Sequence, residues 1–163
     1  MQLPTPEFTF HHGGVSVPNL DEAIRWYAEV LGFELERRFH INAANADVAM
    51  VKRGALRFEI FAVHGALPLP DDRRYPPSDI KTHGNKHVAF RVNDLEEFLR
   101  AVQSKGADIA FVVREKFGKG CFLRDCAGNL IEFVEENNWS SHRSIIHLSQ
   151  QSVAYHKLKT TSQ

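Results

Sequence analysis

The sequence predicts an α+β fold made of two βαβββ modules, each with a strand, a helix and then three further strands. The first observation is the alternation of apolar and polar residues that begins at Lys86, which is typical of a half-buried strand. The second is a set of apolar residues at helical spacing directly after that strand. The third is that this succession occurs twice along the 163 residues. Internal repetition of this kind decides the architecture.

The first module is predicted over residues 1–64. Its first strand carries the sequence HHGGVSV, Asn19 caps the helix that follows, and Gly32 ends that helix. The helical spacing is carried by Ile24, Tyr27 and Leu31. A loose run from Phe33 to Met50 and a strand from Ala55 to Val63 complete the module.

The second module is predicted over residues 86–136. Its helix begins after a cap at Asn93 or Asp94 and ends at Lys105-Gly106. The apolar face of this helix is formed by Leu95, Phe98, Leu99 and Val102. Three strands follow, at Ile109–Arg114, Gly120–Asp125 and Leu130–Glu135. A turn of sequence DCAGN precedes the last of them.

Two segments lie outside the repeat. Residues 65–85 contain four prolines and are predicted to be a connecting loop, too polar for a core element. Such a loop either covers the substrate, with Arg73, Arg74 and Tyr75 as its most capable contacts, or is a plain linker. Residues 137–163 are predicted to be a C-terminal extension that packs on the body or on a partner.

The composition limits the classes of partner. The formal net charge is zero and the isoelectric point is near 7.1, so there is no basic field to attract nucleic acid or an anionic membrane. The sequence shows no run of transmembrane length, and the segment MQLPTPEFTF has neither the charged nor the apolar region expected of a signal peptide. The two cysteines, Cys121 and Cys126, are expected to be reduced thiols. We therefore expect a cytoplasmic protein that binds a small molecule.

Aligning the sequences of the two modules pairs two polar residues of the first with two of the second. His12 falls on His87 at the start of the first strand, and Glu59 falls on Glu132 in the last strand. Counting side-chain alternation places all four on the strand face opposite the helix, and it selects His12 over its neighbour His11. Taken singly, each of these four residues would be interpreted as an ordinary solvated side chain. Two matched pairs on one face instead indicate a site.

The chain resembles the vicinal oxygen chelate superfamily, which includes glyoxalase I, methylmalonyl-CoA epimerase, extradiol dioxygenases and the fosfomycin and bleomycin resistance proteins. The resemblance covers roughly residues 8–136 and is carried by HHGGVSVPNLDEAIRWYAEVLGFEL, RFEIF, KHVAFRVNDLEEFL and RDCAGNLIEFVE. It implies mostly antiparallel sheets that curl around a central metal cavity, with the helices on the outside. It also implies that the metal ligands are His12, Glu59, His87 and Glu132.

A site of two imidazoles and two carboxylates suits Ni²⁺, Co²⁺, Mn²⁺, Fe²⁺ or Zn²⁺ and is poor for Ca²⁺. Four protein ligands leave two adjacent positions of an octahedron for two neighbouring oxygens of a substrate. The metal then acts as a Lewis acid that lowers the pKa of the C–H bond beside a carbonyl. Glu132 and Glu59 are the candidate general bases. The predicted enzyme is an epimerase, isomerase or lyase that moves this proton.

Two other functions stay open. An extradiol-type dioxygenase or a thiol transferase is disfavoured, because those relatives use two histidines and one carboxylate. A metal-free protein that sequesters a drug or another ligand is disfavoured, because clustered polar residues are costly in an apolar cleft.

The sequence also departs from two branches of the family. Ser16 stands where glyoxalase I typically has an arginine, and Glu59 stands where methylmalonyl-CoA epimerases usually have glutamine. Arg57, Arg91 and Lys119 are alternative anion-binding residues.

A homodimer is expected, because exposed sheet edges favour pairing. The sequence leaves open the substrate, the metal, and whether one chain or two complete the site.

Overall fold

The computed structural model describes residues 7–115 and 118–135. The predicted C-terminal extension lies outside these residues. The chain forms two compact units, one of Met1–Leu69 with Asp125–Asn129 and one of Pro70–Arg124 with Leu130–Gln163. Within the described ranges, no helix is long and apolar enough to cross a membrane.

The first unit contains one βαβββ module. Its elements are β1 (Gly13–Ser16), α1 (Leu20–Leu31), β2 (Glu34–Ile41), β3 (Ala46–Arg53) and β4 (Leu56–Val63). The strands form an open sheet in the order β1-β4-β3-β2. β1 runs parallel to β4, and the other two pairings are antiparallel.

The second unit repeats the same module. Its strands and main helix are β5 (Val88–Arg91), α3 (Leu95–Ser104), β6 (Asp108–Glu115), β7 (Gly118–Arg124) and β8 (Leu130–Glu135). The sheet order is β5-β8-β7-β6, again with one parallel pairing, between β5 and β8. The prediction of an α+β fold with two βαβββ modules is confirmed.

One element prediction was wrong. The run from Phe33 to Met50 is not loose, because it holds β2 and most of β3. β2 is an edge strand with largely exposed side chains, whereas five of the eight residues of β3 are buried. Neither strand therefore shows the alternation that marks a half-buried strand.

The predicted helix caps are present. The Asn19 side chain accepts a hydrogen bond from the backbone N–H of Glu22, and Gly32 ends α1 in the left-handed conformation at φ 70°. In the second unit Asp94, rather than Asn93, is the cap, since its carboxylate accepts from the backbone N–H of Glu97. The hydrogen bond from the Glu97 backbone N–H lowers the pKa of Asp94.

Each helix packs on the predicted core face of its sheet. In the first unit, the rings of Tyr27, Phe33 and Phe58 contact one another with centroids 5.2–5.9 Å apart. In the second unit, the centroids of Phe98 and Phe133 lie 4.2 Å apart. Because Phe58 and Phe133 are buried, the glutamates beside them in sequence face the other side of the sheet.

The connecting segment is more ordered than predicted. It contains a 3₁₀ turn at Asp71–Arg73 and a short helix, α2, at Pro76–Asp79. One residue of this polar segment is buried, since only 1% of Asp79 is exposed. Burial of this carboxylate is possible because Arg73 and Lys86 form ion pairs with it.

The turn Asp125–Asn129 joins β7 to β8 but belongs to the first unit. The Tyr27 hydroxyl donates to Asp125 Oδ2 at 3.4 Å, and the Asn129 side chain donates to the Ser16 carbonyl at 3.1 Å. The Asn129 backbone N–H and side-chain amide both donate to the Asp125 carboxylate, each at 2.8 Å. Burial raises the pKa of Asp125 and that of Tyr27.

Candidate functional site

His12 and Glu59 form a close pair in the first unit. The distance from His12 Nε2 to Glu59 Oε2 is 3.1 Å, and the two side chains are 33% and 19% exposed. His12 lies one residue before β1, while Glu59 lies within β4 and is the register partner of Gly14. The neighbouring His11 is exposed, and its Nδ1 lies 2.5 Å from His12 Nδ1. The structure thus brings His12, rather than His11, to the glutamate.

His87 and Glu132 form the equivalent pair in the second unit. The distance from His87 Nε2 to Glu132 Oε2 is 3.0 Å, with 28% and 24% of the side chains exposed. His87 lies one residue before β5, and Glu132 is the register partner of Ala89. The edge of the His87 ring packs against Phe122 with the ring centroids 5.0 Å apart.

The donor chemistry of each pair fits a metal of the predicted class. Two ligands that are each about 2.1 Å from one metal ion, in adjacent positions, lie about 3 Å apart, and nitrogen and carboxylate donors suit borderline ions. The pairs are partly exposed, so an ion or a small molecule can reach them. Among residues 7–115 and 118–135, no group of three or more His, Cys, Asp or Glu side chains is arranged to hold a metal. The four predicted ligands are therefore brought together two by two.

A β-bulge at the same place in both modules sets which residues share the face of each glutamate. The register shifts between Leu35 and Arg37 in β2, and between Ile109 and Phe111 in β6. Across the strands, the row through the first glutamate is Gly14, Glu59, Met50 and Arg37. The row through the second is Ala89, Glu132, Phe122 and Phe111. Sequence reasoning missed Arg37 and Phe111, which each follow a bulge, and it also missed Phe122, which lies opposite Glu132 in the regular pairing of β7 with β8.

Two of the three predicted anion-binding residues are engaged in ion pairs. Arg57 donates to both carboxylate oxygens of Glu36, at 3.1 and 3.2 Å. Lys119 donates to Glu135 at 3.2 Å. The third, Arg91, lies at the end of β5 with an exposed side chain, and it too has an interaction partner. Arg57 and Lys119 therefore already bind carboxylates of this chain.

The three predicted contacts of the connecting segment are held within the second unit. Arg73 pairs with Asp79, and the carbonyl of Arg74 accepts a hydrogen bond from Arg124 Nε at 2.7 Å. The ring of Tyr75 packs edge-on against Phe111 with centroids 5.9 Å apart. The segment is therefore fastened to the unit that carries His87.

The two cysteines are free thiols and are poor nucleophiles. Burial and the negative charge of Glu132 raise the pKa of Cys121 to about 12. Burial and the charge of Asp125 raise that of Cys126 to about 12. Because the thiolate is the reactive form, these thiols are inert near neutral pH.

A profile of the glyoxalase/bleomycin resistance protein/dioxygenase superfamily matches residues 11–123, which is more than half of the chain. The chain belongs to this superfamily. Among solved structures, the glyoxalase family protein from Enterococcus faecalis is similar, with a TM-score of 0.66 and 27% identity over 78% of this chain and 97% of that one.

Other glyoxalase-like structures share the fold. The trypanothione-dependent glyoxalase I of Leishmania major has a TM-score of 0.60 and 21% identity, over 80% of this chain and 88% of its own. A glyoxalase/bleomycin resistance protein/dioxygenase domain from Frankia sp. has a TM-score of 0.65 and 20% identity, over 84% of this chain and 96% of its own.

One curated relative carries an activity in its name. The 2-epi-5-epi-valiolone epimerase of Actinomyces sp. is 32% identical in an alignment of 109 residues that covers 56% of this chain and 57% of that protein. The chain thus matches little more than half the length of this relative.

Proposed function

We propose that the chain is a divalent-metal-dependent epimerase or isomerase that moves a proton on the carbon next to a carbonyl, in a small substrate with neighbouring oxygens. The observation that carries the proposal is the duplicated His–Glu pair, with nitrogen-to-oxygen distances of 3.1 and 3.0 Å. The name of the Actinomyces relative, an epimerase, supports the reaction class over ring cleavage or ligand sequestration.

In this proposal His12, Glu59, His87 and Glu132 hold the metal. Their partly buried positions suit the task, because a metal ligand needs both access to the ion and a fixed orientation. When bound, the ion polarises the substrate carbonyl and so makes the neighbouring C–H bond more acidic.

The chain supplies two carboxylates that can carry the proton. An epimerase removes a proton from one face of a carbon and returns it to the opposite face, so a proton carrier on each side suits the reaction. Glu59 and Glu132 each have an oxygen within 3.1 Å of an imidazole nitrogen, which can orient the carboxylate. Each is about one-fifth to one-quarter exposed, so a small substrate can reach it.

Metal content tests the ligand assignment. Protein purified without chelator is analysed for bound divalent metal beside Glu59→Ala and Glu132→Ala. Glu36→Gln is the matched control, since Glu36 pairs with Arg57 and belongs to neither His–Glu pair. We expect stoichiometric metal in the wild type and the control and at least a tenfold weaker affinity in the two alanine variants. Equal metal content in all four proteins would contradict the assignment.

A further inference from the structure

The sheet does not itself fix His87. Pairing of β5 with β8 begins at Val88, so His87 precedes the first residue of the ladder. The described contacts of the histidine are those of its ring with Phe122 and Glu132, and its backbone lies between the paired Val88 and the residue before it. That preceding residue is Lys86.

Lys86 is anchored to the connecting segment. Its Nζ donates to the Asp79 carbonyl at 2.7 Å and to the Thr82 carbonyl, and it lies 3.6 Å from Asp79 Oδ1. Only 23% of the Lys86 side chain is exposed. The ammonium group thus makes two hydrogen bonds and one ion pair, all within the segment that precedes His87.

Asp79 is the centre of this anchor. Its side chain is 2% exposed, and its Oδ1 also pairs with Arg73 Nε. Arg73 Nη2 donates to the Asn85 carbonyl at 2.6 Å, so both residues immediately before His87 are tied to the same carboxylate. A buried carboxylate with two cations is costly to disrupt, because removal of one partner leaves an uncompensated buried charge.

We propose that Asp79 is a positioning residue for His87. Through Arg73 and Lys86 it fixes the backbone of Asn85 and Lys86, and this holds the imidazole against Glu132. The superposition of the two copies places His11 on Lys86, and His11 is exposed, so the first pair has a different support. The role in metal binding rests on the proposed function, but the positioning of the ring does not.

The test uses the full chain with two variants. Lys86→Met keeps the aliphatic stem and removes the part of the anchor that acts on the residue next to His87, while Asp79→Asn removes the charge at its centre. Because Asp79→Asn leaves two cations without a carboxylate and endangers folding, Lys86→Met is the decisive variant. The control is Val102→Ala, a buried position on α3, which packs on the sheet face opposite Glu132.

The first readout is the ¹⁵N NMR spectrum of the histidine rings in metal-free protein kept in chelator. We expect the His87 resonances to shift or broaden in Lys86→Met, with His12 unchanged, and to stay in place in Val102→Ala. The second readout is the affinity for Co²⁺ by calorimetry, which we expect to fall 10- to 100-fold in Lys86→Met. The control should lose less than threefold.

Unchanged His87 resonances in a folded Lys86→Met variant would overturn the proposal, as would a Co²⁺ affinity no lower than that of Val102→Ala. A wild type that binds no Co²⁺ would count against the proposed function alone, because the ring resonances of the metal-free protein still report on the anchor.

Discussion

Replacing Asp125 with alanine should destabilise the first unit by removing the acceptor at the centre of its turn. The carboxylate accepts from the Tyr27 hydroxyl, from the Ala127 backbone and from two nitrogens of Asn129. Tyr27 is fully buried, so its hydroxyl would lose its partner without gaining water. An unsatisfied buried donor costs about 1–3 kcal/mol, and each half-buried nitrogen that turns to water costs about 0.5–1 kcal/mol.

With one buried hydroxyl and three half-buried nitrogens the sum is about 2.5–6 kcal/mol, which for a chain of this size corresponds to a fall in Tm of about 5–24 °C. Thermal unfolding followed by circular dichroism measures it. Asp108→Asn is the control, because Asp108 also pairs with an arginine but is 58% exposed, and it should move Tm little. A loss below about 1 kcal/mol in Asp125→Ala would refute the reasoning.

The same carboxylate predicts a pH dependence. Burial raises the pKa of Asp125 in the folded chain above its value in the unfolded chain. The folded state then binds the proton more readily, so this contribution is present at low pH and is lost as pH rises through the raised pKa. The stability advantage of the wild type over Asp125→Asn should therefore shrink as pH rises through the mildly acidic range. An advantage that grows with pH would contradict the direction of the shift.

Three further predictions concern other parts of the chain. Light scattering should give the mass of a homodimer, and a monomer at micromolar concentration would refute this prediction. If each site takes one His–Glu pair from each chain, co-expression of the inactive His12→Ala and His87→Ala chains should restore activity. Iodoacetamide at pH 8 should leave Cys121 and Cys126 largely unmodified until the chain is denatured, because their pKa values are about 12; rapid labelling of the native chain would contradict this. Asn19→Ala should lower the free energy of unfolding by about 1 kcal/mol in urea titrations, through loss of the α1 cap, and an unchanged midpoint would count against that role.

The sequence could predict the ends of helix α1 and the equivalent positions of the two histidines, because these features depend on residues that are close in the chain or on the repeat itself. The Asn19 cap and the Gly32 stop depend on the conformation of one turn, so the residue types suffice. The repeat placed His12 and His87 at equivalent positions, and each lies beside its glutamate.

Tertiary contacts explain what the sequence could not predict. Asp79 lies in a proline-rich stretch that reads as a solvated loop, and only its contacts with Arg73 and Lys86 make its burial possible. The turn at Asp125 was predicted as a turn, but its contact with Tyr27 joins residues 98 positions apart in the chain. No local pattern encodes such a separation.

The most direct test of the proposed reaction is deuterium uptake from D₂O by candidate substrates. The metal-loaded chain is incubated with panels of hydroxy ketones, 2-oxo acids and acyl-CoA acids, and the products are examined by NMR. We predict deuterium at the carbon beside the carbonyl, abolished by chelation and in both Glu59→Gln and Glu132→Gln, and retained in Glu36→Gln. Uptake that survives chelation and both substitutions would contradict the proposal, as would uptake by no substrate together with tight metal-free binding of an aromatic compound.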